Sequence, residues 1–368
     1  MRYRSHIVLL AIAAMMVSCS RDAIEEPVFH GDEAHVTLQE LEDGNMVTRT
    51  ALTYNCQDKK IHFTWDSDDK VGVFALNDDP GKRQQVLFDI TKGAGTISAV
   101  FVSADESVRT LEKDKQYIAF RPYSTEDDYS NLYVKYEGQT AKAFPKMKYY
   151  PFSAGNPNQD LDIYNESERA ASAHLSATDY MASLPTTALR DGFCTFQCKR
   201  LGVVVRFYLK SPRNVIYEGI QLVAKGKKKF TLTGMLEADK RRITPLTTSN
   251  AINLTFKPNL DLTDTSSEYY HNGTGYIISY MMIAPIDLSD AEDISIYLKG
   301  HDKNSNTVYF KSTGELQKPN LTANMFYQWT SGENFGDPAI VFDHISAQDW
   351  ERDVIYSNGE EGSGTGNW

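Results

Sequence analysis

Lys60-Ile-His-Phe-Thr-Trp65 alternates polar and apolar side chains, and Val71-Gly-Val-Phe74 follows it after the Asp66-Ser-Asp-Asp69 turn. A period of two places Ile61, Phe63 and Trp65 on one face of an extended chain. Val86-Leu-Phe-Asp-Ile90, Ala99-Val-Phe-Val102 and Tyr117-Ile-Ala-Phe120 come next at short intervals. Clusters of Asp, Asn, Gly, Pro or Lys bound each run. Short apolar runs at this spacing predict an all-β sandwich or barrel.

Working outward, a second series of the same kind begins near Phe193. It includes Leu201-Gly-Val-Val-Val-Arg-Phe-Tyr-Leu209, Ile216 to Val223, Ile252-Asn-Leu-Thr-Phe256, Tyr276 to Ile283 and Ile294-Ser-Ile-Tyr-Leu298. Between the series, Ser153 to Asp191 is rich in Asn, Ser, Ala and Asp. Short helices are expected there, near Ser167–His174 and Thr178–Leu184. The division expected is a β-sandwich over 50–191, a second over 192–335, and a C-terminal strand with a flexible Gly-rich tail over 336–368.

The first 49 residues read as an export and tether region. Arg2 and Arg4 precede an apolar run from Ile7 to Val17, too short to span a bilayer as a helix. Ser18 and Cys19 follow, which is the pattern of a lipoprotein signal over 1–18 with Cys19 as the lipidated residue. An ordinary secretory signal with an incidental Cys is the plainer alternative. Residues 19–49 form a tether and a first strand, His35-Val-Thr-Leu38.

Removing Arg2 and Arg4 with the signal takes the net charge from −11 to −13. So acidic a chain lacks the basic footprint of a nucleic-acid binder. Three cysteines remain besides Cys19. Cys194 and Cys198 are four strand residues apart, about 13 Å, beyond the reach of a disulfide. They and Cys56 are expected to be free and buried.

No nucleophile elbow, zinc-protease motif, phosphate loop or dinucleotide fingerprint occurs. The histidines lack metal-ligand spacing. Gly93-Ala-Gly95, Asp302-Lys-Asn-Ser-Asn306, Lys225-Gly-Lys-Lys-Lys229 and Lys240-Arg-Arg242 are each best read as hairpin turns. No catalytic residue, metal or cofactor is expected.

Taken in order, several motifs resemble a known family. They are Thr48-Arg-Thr-Ala-Leu52, Ile61-His-Phe-Thr-Trp65, Asp69-Lys-Val-Gly-Val-Phe74, the Gly95 to Phe101 strand region, Tyr117-Ile-Ala-Phe-Arg-Pro-Tyr123, Asp179-Tyr-Met-Ala182, Phe193 to Leu209 and Trp350. Together with the lipoprotein signal they resemble the fimbrillin family of surface lipoproteins and pilus subunits. The resemblance implies two transthyretin-like Greek-key β-sandwich domains in tandem. It also implies export with a lipid, a trypsin-like cut after an arginine of the first segment, and loss of the first strand. The C-terminal strand of a neighbouring subunit then fills the groove.

Here the matching arginine is Arg49, whose plainer alternative is a solvent-facing loop residue. The donor strand comes from the stretch with Ile340, Val341, Phe342, Ile345, Trp350, Val354, Ile355 and Tyr356. The expected function is a fimbrial subunit, or an accessory tip or anchor component, supporting cell adhesion. Its partners are other fimbrial subunits, the outer membrane through the lipid anchor, and a host protein or glycan. The location is the cell outer membrane or the fimbrium. The competing reading is a monomeric surface lipoprotein that binds glycans or host ligands.

Overall fold

The computed structural model describes residues 35–40, 51–55, 60–76, 85–96, 98–104, 111–124, 128–145, 169–190, 192–210, 215–263, 276–311, 318–331, 340–342, 356–357 and 360–361, with Asp79 and Leu316. The described chain is dominated by strands, an all-β sandwich fold. Its first part holds β1 (His35–Glu40), β2 (Ala51–Asn55), β3 (Lys60–Thr64), β4 (Lys70–Ala75), β5 (Gln85–Lys92), β6 (Ser98–Ser103) and β7 (Gln116–Arg121). Five short strands follow: β8 (Leu132–Lys135), β9 (Gln139–Ala141), β10 (Phe144–Pro145), β11 (Met181–Ser183) and β12 (Thr186–Thr187). Then come β13 (Phe193–Arg200), β14 (Val203–Lys210), β15 (Ile216–Lys225), β16 (Phe230–Glu237), β17 (Arg242–Ser249), β18 (Ala251–Asp261) and β19 (Tyr276–Ile283). The last are β20 (Ile286–Asp287), β21 (Asp293–His301), β22 (Thr307–Lys311), β23 (Asn320–Leu321), β24 (Met325–Ser331), β25 (Ile340–Phe342), β26 (Tyr356–Ser357) and β27 (Glu360–Glu361).

The first sheet runs β11-β13-β1-β6-β5-β4-β7-β12, and β11 also pairs with β7. Met181 is opposite both Arg200 of β13 and Arg121 of β7. The sheet therefore closes into a ring of hydrogen-bonded strands, with β12 attached to the other end of β7. Closure removes the exposed edges that an open sheet would present. Inside the ring, Val71, Val73, Phe88, Ala99, Phe101, Ala119, Met181 and Phe196 share one core with Val36 and Leu38 of β1. Trp65 stands edge-on to Phe101, with ring centres 5.2 Å apart.

Tyr117-Ile-Ala-Phe120 is apolar throughout because both faces of β7 are covered. Tyr117 and Ala119 face the ring core, while Ile118 and Phe120 join the second core. That second core lies between the sheets β10-β19-β14-β24-β25 and β22-β21-β15-β18-β9. Trp329 of β24 is fully buried in it and stacks on Phe207.

The expected boundary near Asp191 is crossed in both directions. β13, beyond it, belongs to the ring; β8, β9 and β10, before it, pair with β16, β18 and β19. One helix expectation is corrected. Residues 169–178 are helical, but Met181–Ser183 within the expected Thr178–Leu184 helix is strand β11. All three of its residues are buried between β7 and β13, and that pairing overrides local propensity.

The turns follow their residues. Gly93 and Gly95 have positive φ in the β5–β6 hairpin, and a Cβ on Gly93 would meet the Ser98 carbonyl oxygen at 2.2 Å. Asp302 Oδ1 accepts from the backbone N–H groups of Asn304 and Asn306, closing the β21–β22 turn. Lys225–Lys229 links β15 to β16, and Lys240–Arg242 links β16 to β17.

Candidate functional site

β1 is the feature on which a strand-exchange reading depends. His35–Glu40 runs parallel to β13 through six register pairs and antiparallel to β6 through five. It is thus an internal strand, although 41–50 separates it from β2 in the chain. Val36 lies between Phe101 of β6 and Cys194 of β13; Leu38 lies between Ala99 and Phe196. Val36 and Leu38 are 0% and 1% exposed. Burial of two such side chains contributes about 1.5–3 kcal/mol each. Without β1, the ring would open and both β6 and β13 would present unpaired backbone groups.

Cys194 and Cys198 are buried on β13 and neither is in a disulfide, as expected; Cys56 lies outside the described residues. Burial pushes the Cys194 thiol up to about 12. A thiol held in that state is inert, because the thiolate is the reactive form.

One end of the ring is tied by a buried chain of charges. Arg121, at the end of β7, donates from Nη2 to Asp69 Oδ1 at 2.9 Å and from Nη1 to the Asp179 carbonyl oxygen at 3.0 Å. Its Nη1 also stands 3.4 Å from Asp179 Oδ2. Arg200, at the end of β13, donates from Nε to Asp179 Oδ1 at 2.6 Å. All four residues are buried. Asp179 therefore bridges the last residues of β7 and β13, immediately before the β11 strand that closes the ring. The Asp66–Asp69 turn is solvated only at Asp66, Ser67 and Asp68; Asp69 turns inward to Arg121.

Outside this chain of charges is a shallow cleft of about 370 Å³. Asp66, Asp68, Lys70, Tyr123 and Ser176 are among its lining residues, and Tyr123 is 38% exposed. Among the described residues no group of three His, Cys, Asp or Glu is placed to hold a metal ion, and no helix is long and apolar enough to cross a membrane.

The other sequence-predicted positions divide as follows. Cys19, Arg49, Ile345, Trp350, Val354 and Ile355 lie outside the described residues. Ile340, Val341 and Phe342 form β25, which pairs parallel with Trp329–Ser331 of β24. Tyr356 is in β26, paired with β27. Sequence reasoning marked both β1 and β13 as strands but did not pair them, nor did it find the Asp69–Arg121–Asp179–Arg200 chain. The Cys194, Phe196, Cys198 alternation was the available signal for β13. The charges gave none, since their partners are far away in sequence.

The fold defines a β-sandwich protein whose first described strand, β1, completes the first sheet from within. No family model and no curated protein matches the sequence. Among solved structures, a "putative cell adhesion protein" of Bacteroides ovatus is 13% identical, with 90% of this chain and 100% of that chain covered and a TM-score of 0.42. A "putative cell adhesion protein" of Bacteroides uniformis is 10% identical, covering 80% and 91%, with a TM-score of 0.42. A "fimbrial protein" of Bacteroides ovatus is 10% identical, covering 92% of this chain but 55% of that one, with a TM-score of 0.34. These descriptions are of the class that the sequence motifs resemble. Superpositions this loose leave the functional reading to the strand pairings themselves.

Proposed function

We propose that the chain is a surface fimbrial subunit, or an accessory tip or anchor component, that supports cell adhesion. It is exported as a lipoprotein through Cys19 and assembled by donor-strand exchange. The observation that carries this reading is the position of β1. A strand near the N-terminus, joined onward by 41–50 with Arg49 near its end, occupies an internal place in the ring. A cut after Arg49 would release the strand's only covalent tie to the sandwich. The slot left behind has two apolar subsites and two unpaired strand edges, which an extended segment of another subunit satisfies by β-augmentation. The partners are other fimbrial subunits and, before assembly, the outer membrane through the lipid. The role is non-catalytic.

The test is polymer formation. The surface-purified protein gives ladders on unboiled gels, and deletion of the residues after Gly336 abolishes them. A monomer in both samples overturns the reading.

The Tyr123 cleft favours a second reading, a monomeric lipoprotein that binds glycans. An exposed ring beside the carboxylates of Asp66 and Asp68 offers stacking and hydrogen-bond acceptors to a sugar. Glycan-array binding by the monomer, lost in Tyr123→Ala, would establish it.

A further inference from the structure

We infer that the Tyr123 cleft takes a cationic sugar, a pyranose unit with a free, protonated amine, which Asp66 and Asp68 hold while the ring lies against Tyr123. This rests on the glycan reading of that cleft and adds the charge of the ligand. It is independent of strand exchange.

The cleft is built around one buried side chain. Arg121 lines it and ties its walls together. Arg121 Nη2 donates to Asp69 Oδ1 at 2.9 Å, and Asp69 Oδ2 accepts from the Asp66 backbone N–H at 2.6 Å, which fixes the Asp66–Asp69 turn. Arg121 Nη1 donates to the Ser176 carbonyl oxygen at 3.5 Å, which ties in the 176–177 wall. Tyr123 follows two residues later, and its backbone N–H donates to the Lys70 carbonyl oxygen at 3.2 Å. Walls held in this way are preorganised, so binding costs less in ordering. The volume of about 370 Å³ falls at the lower end for small-molecule sites, about 300–1,000 Å³. It admits a sugar ring and exceeds what a single alkylammonium chain fills.

Charge then sets the class of sugar. The cations at the cleft are already neutralised. Arg121 and Arg200 face Asp69 and Asp179, two guanidinium groups against two carboxylates. Lys70 Nζ stands 3.0 Å from Asp89 Oδ1 on the neighbouring strand. Asp66 and Asp68 are exposed and form no ion pair among the described residues. Two negative charges are thus left over at the mouth of the cleft. They repel uronic, sialic and sulfated sugars and attract an ammonium group. The exposed Tyr123 ring adds to the same preference, because an aromatic face attracts cations. A neutral glycan would use the ring and leave both carboxylates without a charged partner.

The test is calorimetric titration of the full chain at about pH 6, above the ordinary aspartate value of about 3.9. The probes are glucosamine, N-acetylglucosamine, glucose and galacturonate oligomers of equal length, with trilysine as an amine that carries no sugar. The glucosamine oligomer is expected to bind about five- to tenfold tighter than the N-acetylated and glucose oligomers, about two- to threefold from each carboxylate, and the galacturonate oligomer not at all. The Asp66→Asn, Asp68→Asn double variant abolishes that preference, with its urea midpoint as the check on folding. Binding of the N-acetylated, glucose or galacturonate oligomer as tight as that of the glucosamine oligomer overturns the inference and leaves the glycan reading standing. A preference for glucosamine that survives in the double variant places the amine elsewhere and also overturns it. Trilysine binding as tight as the glucosamine oligomer puts a basic peptide in the cleft instead of a sugar. No binding of any oligomer overturns both the inference and the glycan reading.

Discussion

Val36 of β1 stands in register with Cys194 of β13, and both are buried in the same core. The pair makes the thiol a witness to the strand. While β1 is in place, Cys194 has no path to solvent and no tendency to ionise. If β1 is removed, the thiol faces the open slot.

Maleimide labelling under native conditions therefore distinguishes two states of the molecule. In a Cys19→Ser, Cys56→Ser background the uncut chain takes up no label in the time that a free model thiol reacts fully. After a cut following Arg49 and removal of the released fragment, Cys194 and Cys198 both react. Filling the slot with a donor peptide restores protection, read as the mass of the labelled protein.

Leu38→Ala removes a fully buried side chain from the ring core. The uncut chain loses about 2–5 kcal/mol in urea unfolding. The assembled form, if it has discarded β1, is unaffected, because Leu38 is no longer part of it. A loss of similar size in both forms would mean that β1 stays in the polymer.

Asp179→Asn breaks the bridge between the ends of β7 and β13. Leaving Arg121 and Arg200 without that carboxylate costs about 3–5 kcal/mol, seen as a lower urea midpoint. Asp66→Asn, on the exposed side of the same cleft, stays within about 0.5 kcal/mol of the parent. Because β13 has lost one neighbour in the cut form, Asp179→Asn should also weaken peptide capture by the slot.

The pH dependence has a defined sign. Burial lowers the His174 imidazole from 6.5 to about 4. The folded state thus binds this proton less readily than the unfolded chain does. The associated stability is complete above pH 6.5 and is lost as pH falls toward 4 and below, about 3 kcal/mol at most. Glu218 adds a loss of the same sign at lower pH. Burial opposes ionisation of its carboxyl, but the hydrogen bonds and charges of Lys299 and His301 outweigh that and hold it below 4.5. His174→Gln should flatten the decline in urea-midpoint stability between pH 6.5 and 5, and leave the steeper fall below 4.5 in place.

Much of the fold was legible because it is local. Alternation in Lys60–Trp65 and Phe193–Cys198, and the Gly, Asp and Lys turns, mark strands and hairpins from neighbouring residues alone. His35-Val-Thr-Leu38 was legible as a strand for the same reason. What was not legible is who pairs with whom. Nothing near β1 says that its parallel partner is β13, more than 150 residues on. Met181–Ser183 was misread as helix because its burial comes from two distant strands. Arg121 and Arg200 resemble surface charges until Asp179 is placed between them.

The most direct measurement is the N-terminal sequence of the protein purified from the cell surface in its assembled form. Strand exchange requires a start at Thr50, directly after Arg49, with His35–Glu40 absent from the polymer. An assembled form that begins at the lipidated Cys19 and still contains Val36 and Leu38 would contradict it.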